Sequence, residues 1–169
     1  QPNAVPLDLA QRLYQHVTSL PFGAFEAAGI GRQGNHQQNA TVRGDQIHWI
    51  SEDVDVEAQW LAWAAQLQNV LNRRLFLGLF SFESHFAHYR KGDFYKRHLD
   101  AFKGQANRTV SLVVYLNPQW QKKNAGELVL YRDAQDQQGI KVTPHFATAV
   151  VFLSEEFPHE VLPVQCDRY

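Results

Sequence analysis

Near residue 80 the apolar pattern of this chain changes period, and that change constrains the fold more than any other feature. From there on, residues 82–89, 94–98, 110–116, 127–132, 140–143, 147–153 and 160–164 are short runs rich in β-branched and aromatic residues, separated by Gly, Pro, Asn and Asp. Seven short strands so spaced predict a sandwich or jelly roll. Upstream the spacing is helical. Leu9, Leu13, Val17 and Leu20 follow Pro6 and Asp8 and predict a helix over 7–20, which Pro21 and Gly23 end. Val56, Trp60, Trp63, Ala64, Leu67, Val70, Leu71 and Leu75 predict a second helix over 55–76 with a core-packing stripe. Helices first and strands afterwards argue for an α+β, mainly β fold, with the helices buttressing one face of the sheets. Residues 29–39, polar and glycine-bearing, read as a long mobile loop of the kind that is often functional.

A chain of 169 residues fits one domain, 1–169, able to bury about two-thirds of its unfolded surface without a disulfide or structural metal. Because the first residue is Gln1 and not methionine, truncation at both ends is expected. Sixteen basic against 17 acidic residues give a net charge of −1, so no nucleic-acid or membrane surface is expected. There is no apolar run of 18 or more residues and no signal-peptide pattern. The single cysteine, Cys166, suits a reducing compartment, and a cytoplasmic location is expected.

The candidate chemistry lies in His98-Leu99-Asp100, followed by His159 and then Arg168. Two imidazoles and a carboxylate are the ligand set of the facial triad that holds Fe(II) on one side and leaves positions open for oxygen chemistry. In a strand, residues i and i+2 share a face, so His98 and Asp100 at a strand end can reach one metal while Leu99 turns away. His159, after Pro158 at the start of another strand, is expected to arrive from the facing sheet. Arg168 offers a planar cation for a second carboxylate, provided a turn near Pro163 brings it back. Eight His and nine Asp in this length give about 0.4 His-x-Asp triplets by chance, so order and setting carry the weight. A plainer reading stays open at this point: Lys96, Arg97 and Asp100 merely solvating a strand end. His16, His36, His48 and His145 read as surface or satisfied core residues, and His85 and His88, on opposite faces of a strand, as structural.

Longer stretches add a resemblance. Phe94-Tyr95-Lys96-Arg97-His98-Leu99-Asp100, the run from Arg108 to Asn117, Ala125-Gly126-Glu127-Leu128, Pro158-His159-Glu160-Val161 and Arg168-Tyr169 together resemble the prolyl 4-hydroxylase family of iron- and 2-oxoglutarate-dependent dioxygenases. The likeness is to the branch containing the oxygen-sensing hydroxylases of hypoxia-inducible factor and their bacterial relatives. Residues 30–49, with Arg43-Gly44-Asp45-Gln46-Ile47-His48-Trp49, resemble that branch's mobile substrate-gripping loop and the strand after it.

The resemblance implies a double-stranded β-helix, a jelly-roll variant. It implies His98, Asp100 and His159 as iron ligands, and Arg168 and Tyr115 as partners of the far carboxylate of 2-oxoglutarate. Val113 and Leu128 are then pocket walls, and Tyr89 lies near the iron-bound end of the co-substrate. Tyr95 and Arg108, with Arg43 and Asp45, are implied as substrate contacts. The implied reaction uses Fe(II), 2-oxoglutarate and O2, with ascorbate in support, to hydroxylate C4 of a prolyl residue in a protein while 2-oxoglutarate becomes succinate and CO2. Elongation factor Tu is a candidate partner by the bacterial relatives. Two departures stand out. The family's strand after the Arg-Tyr pair is missing beyond Tyr169, and Ala125 replaces the first of two glycines, a modest change if its φ is negative. The alternatives are a 2-oxoglutarate oxygenase acting on another amino acid or a small molecule, and a non-catalytic metal-binding sensor or interaction module. A retained Arg168 and Tyr115 count against the last.

Overall fold

The computed structural model describes residues 1–21, 23–29, 41–101 and 108–169. The expected loop over 29–39 therefore falls almost wholly outside the described residues. Helix α1 (Leu7–Ser19) turns Leu9, Ala10, Leu13 and Val17 inward. Two antiparallel strands follow, β1 (Glu26–Ala27) and β2 (Gln46–Trp49), and then helix α2 (Asp55–Leu75). All seven predicted strands are present, each somewhat shorter than its run: β3 (His85–His88), β4 (Tyr95–His98), β5 (Val110–Val114), β6 (Leu128–Leu130), β7 (Ile140–Val142), β8 (Ala149–Leu153) and β9 (His159–Val161).

The strands form three antiparallel groups, ordered β1-β2-β3, β4-β9-β6-β7 and β5-β8. Alternation along them decides what faces what. Phe86 on β3 and Leu112 and Val114 on β5 pack with Leu9, Leu13, Val17 and Trp60 of the helices. Their neighbours Ala87 and Val113 point the opposite way. They meet Leu128 and Leu130 of β6, Val142 of β7, Val150 of β8 and Val161 of β9 around the buried Tyr89 and Tyr115. The helices thus back one layer, and a second core lies between that layer and the four-stranded sheet.

Helix α2 is as long as predicted, but its stripe is only partly a core stripe. Trp60 is buried, whereas Val70 and Leu75 are 49% and 59% exposed. The α2 residues packed in the core with α1 are Val56, Trp60, Leu61 and Trp63, all in its first half, so the last turns carry the apolar spacing beyond that core. Nearer its start, Glu57 is 1% exposed; it accepts hydrogen bonds from the Ser51 backbone N–H (2.8 Å) and pairs with His16 Nε2 (2.7 Å). The contact pins α1, α2 and the end of β2 together, which gives His16 a structural role.

The last residues close the layer. Arg168 and Tyr89 exchange both backbone hydrogen bonds (2.9 Å each), and Leu116 N–H donates to the Tyr169 carbonyl (3.2 Å). Arg168-Tyr169 therefore bridges the end of β3 to the end of β5.

Ala125 departs from the condition that made its substitution modest. Its φ is +52° with ψ −142°, a region that belongs almost entirely to glycine. Backbone contacts hold it there: its N–H donates to Lys122 O (3.2 Å), and its carbonyl accepts from Trp120 Nε1 (3.1 Å). Ala125→Gly should stabilise the protein by about 1 kcal/mol and raise Tm by roughly 2–4 °C in a thermal melt. The reverse holds next door, where a Cβ on Gly126 (φ +69°) would lie 2.5 Å from Val164 Cγ1 and 3.3 Å from Arg168 Cδ.

Candidate metal centre

His98 ends β4, and Asp100 follows at the bend, so the i, i+2 rule brings both onto one face. His159 was expected from the facing sheet. Instead β9 is the immediate neighbour of β4, and His98 and His159 are cross-strand partners in register. A register shift between Tyr95 and His98 adjusts the strand at this point, as bulges near functional sites commonly do. Ligand atoms of His98, Asp100 and His159 all lie within 4.8 Å of one another and could hold a metal ion. Asp100 Oδ1 is 3.5 Å from His98 Nε2 and 3.7 Å from His159 Nε2.

Both imidazoles aim Nε2 at this point because Nδ1 is held behind them. His98 Nδ1 lies 2.8 Å from Lys96 O, and His159 Nδ1 lies 3.1 Å from Phe157 O. Backbone carbonyls on the far nitrogen are the usual way a metal-binding imidazole is oriented. Asp100 is held likewise, its Oδ2 accepting a short hydrogen bond from Ser111 Oγ, which is 2.8 Å from Ser154 Oγ. Ser111 escaped the sequence reading; the signal was its place two residues before Val113, on the same face of β5.

Protonation states agree with ligation. Burial alone would raise Asp100, but hydrogen bonding to His98, the proximity of His159 and the Ser111 bond outweigh it, so its pKa lies well below the usual carboxylate range. Burial, then the neighbouring His98, lowers His159. At neutral pH the site therefore offers a carboxylate and a neutral imidazole, as ligation requires.

Beyond the triad lies a buried cation. Arg168 is 4% exposed, and no carboxylate among the described residues lies within ion-pairing distance. Its guanidinium carbon sits 4.8 Å from the Tyr89 ring centroid and 5.2 Å from that of Tyr115. Tyr115 is 1% exposed; burial pushes its hydroxyl up to about 12 against the pull of Arg168, so it remains a donor at neutral pH. Arg168 Nε and Tyr115 Oη are both buried without hydrogen-bond partners. A buried guanidinium whose Nε has no partner, facing a buried phenol, is costly unless an anion completes the set. The pair fits a carboxylate, and Leu128, Val113 and Tyr89 pack around Tyr115 as apolar walls.

The remaining predicted residues fall as follows. Tyr95 stacks on His98, ring centroids 3.5 Å apart at 13°. Arg108 is partly exposed and paired with Glu83 at 2.6 Å. Arg43 pairs with Asp45, which is 2% exposed. His88 stacks on Tyr169 at 4.5 Å, and His85 meets Trp49 edge-on at 5.2 Å, away from the triad.

A family model described as the 2OG-Fe(II) oxygenase superfamily matches residues 84–169. Among solved structures, the chain is similar to a prolyl 4-hydroxylase from Pseudomonas putida, with 38% identity over 99% of this chain and 85% of that one, at a TM-score of 0.85. It is also similar to a prolyl hydroxylase from Trichoplax adhaerens solved with a peptide fragment of the oxygen degradation domain of hypoxia-inducible factor. There the identity is 29% over 96% of this chain and 72% of that one, at a TM-score of 0.73. A 2OG-Fe(II) oxygenase family oxidoreductase from Burkholderia pseudomallei, 17% identical over 93% of this chain and 73% of that one, shares the fold at a TM-score of 0.63.

Proposed function

Because the chain belongs to the 2OG-Fe(II) oxygenase superfamily, we propose that it hydroxylates C4 of a prolyl residue in a protein substrate. It is an oxidoreductase with the double-stranded β-helix fold of its prolyl hydroxylase neighbours, and its chemistry calls for Fe(II), 2-oxoglutarate and O2. Among the described residues no helix is long and apolar enough to cross a membrane. A cytoplasmic setting, suggested by the lone cysteine, belongs to the same proposal.

One observation carries the reading: a three-ligand metal site and an unpaired buried cation stand at the same apolar core. His98, Asp100 and His159 would hold Fe(II), which when bound supplies the activation of O2 coupled to conversion of 2-oxoglutarate to succinate and CO2. Arg168 and the protonated Tyr115 would bind the far carboxylate by charge-assisted hydrogen bonds, strong here because water is excluded. Val113 and Leu128 supply the dry walls, and the Tyr89 ring, with its centroid 4.8 Å from the Arg168 guanidinium carbon, supports one side of the cation. Tyr95 presents its ring beside His98, at a position suited to a substrate proline, and the partly exposed Arg108 suits a substrate backbone carbonyl. The choice of proline rests on the 38% identity with a prolyl 4-hydroxylase along nearly the whole chain. The choice of a protein rests on the peptide bound to the Trichoplax relative.

Turnover tests this directly. With Fe(II), ascorbate and 2-oxoglutarate, succinate release should rise on adding a proline-bearing protein, elongation factor Tu being the first candidate. Mass spectrometry should find one added oxygen on a prolyl residue. Hydroxylation of a different residue type would replace the proline assignment, while succinate release with no modified protein would favour a small-molecule substrate.

A further inference from the structure

Arg43 and Asp45 stand two residues apart at the entry to β2. The buried Asp45 carboxylate accepts from Arg43 Nε (2.7 Å) and Nη2 (2.6 Å) in a two-point fork, and Arg43 Nη1 donates to Gly29 O (3.1 Å). So fixed, the guanidinium carbon lies 4.2 Å from the Tyr95 ring centroid. The Tyr95 ring in turn lies nearly parallel on the imidazole of His98. Carboxylate, guanidinium, phenol ring and metal-facing imidazole thus form one continuous series. Backbone bonds reinforce it: Lys96 N–H donates to Val42 O (2.8 Å), and Gly44 N–H donates to Phe94 O (3.0 Å).

Asp45 is buried, so its influence on the reaction passes through Arg43, whose guanidinium lies over the Tyr95 ring. We propose that Asp45 and Arg43 are positioning residues for the metal centre, pressing Tyr95 onto His98 and so fixing the imidazole plane. The inference rests on His98 being a metal ligand. Rotation about an imidazole's last torsion is soft, and while the Nδ1 contact to Lys96 O aims Nε2, the flat contact with the Tyr95 ring is a second restraint on the tilt of the imidazole plane. A ring face held down by a cation removes this freedom, since cation–π contacts strengthen when desolvated. Asp45 has a second effect. It neutralises a guanidinium that would otherwise repel a divalent ion nearby. Because Arg43 also holds Gly29, the chain on either side of residues 30–40 is joined to the metal ligand through the same guanidinium.

Co(II) binding to the apo-protein, followed by its visible d–d absorption, reads the site without turnover. Asp45→Asn, Arg43→Gln and Tyr95→Leu should each weaken Co(II) binding about 10-fold or more, the scale at which groups supporting a ligand act. The double variant Arg43→Gln/Tyr95→Leu should bind no worse than Tyr95→Leu alone, because the series is already broken. Lower melting temperatures with unchanged Co(II) affinity, or fully additive losses in the double variant, would overturn the proposal. If Asp45→Asn does not fold, Arg43→Lys, which keeps the charge but loses the fork, replaces it with the same expected weakening. Wild-type protein that fails to bind Co(II), or His98→Ala that binds it as tightly, refutes the ligand assignment itself. Tight wild-type binding with Arg43→Gln unchanged refutes only the positioning role.

Discussion

His98→Ala is expected to abolish Fe(II) binding while leaving the fold intact. The side chain is one of three whose ligand atoms lie within 4.8 Å of one another, and its loss leaves one imidazole and one carboxylate. Two ligands cannot hold a divalent ion against water with the affinity of three, and even supporting groups behind a ligand are worth about 10–100-fold. A loss beyond that range is therefore expected, with succinate release falling to background. The folded state has little to lose: the imidazole is partly exposed, and its Nδ1 contact is to a backbone carbonyl two residues away. Isothermal titration with Fe(II) under anaerobic conditions, beside a thermal melt of the apo-protein, measures both. Retention of full affinity would remove His98 from the ligand set.

Arg168→Lys separates the second half of the site from the first. Lysine keeps the charge but offers a point cation in place of a planar fork, so one of two charge-assisted bonds to the co-substrate carboxylate is lost. At roughly 1.5–3 kcal/mol for such a bond, 2-oxoglutarate affinity should fall about 10- to 150-fold. Fe(II) affinity should stay at the wild-type level, because Arg168 is not among the ligand atoms. The backbone bridge to Tyr89 does not depend on the side chain, so the sheet should persist. Equal losses of metal and co-substrate would mean that the substitution unfolds the pocket; unchanged 2-oxoglutarate binding would refute the role of Arg168.

Much of this was legible in the sequence because it rests on local pattern. The seven strands downstream of residue 80 follow from alternation and turn residues, and the ligand triplet follows from the two-residue repeat of a strand. What was not legible depends on neighbours distant in sequence. Strand β1 is two exposed residues, Glu26 and Ala27, with no apolar signal at all. Whether His159 pairs with β4 or faces it from another sheet depends on strand order, which no single strand encodes. The exposed end of α2 carries the same apolar spacing as the buried start, because the spacing records a face and not what lies opposite it. Asp45, implied by the resemblance as a substrate contact, is buried in a two-point pairing with Arg43, which the sequence spacing allows but does not require. Ala125 could be flagged as unusual, but the sign of its φ is a property of the turn made by residues 122–125.

Arg168 does two jobs with two parts of one residue. Its main chain bridges the end of β3 and, with Tyr169, reaches the end of β5, while its side chain lies buried between Tyr89 and Tyr115. If that side chain takes the co-substrate carboxylate as proposed, occupancy of the pocket and cohesion of the layer are thermodynamically linked. A ligand present at about 100 times its Kd adds about 2.7 kcal/mol to the folded state by mass action alone. On the proposed role of Arg168, saturating 2-oxoglutarate should therefore raise the melting temperature of the wild-type protein, and Arg168→Lys should blunt that rise.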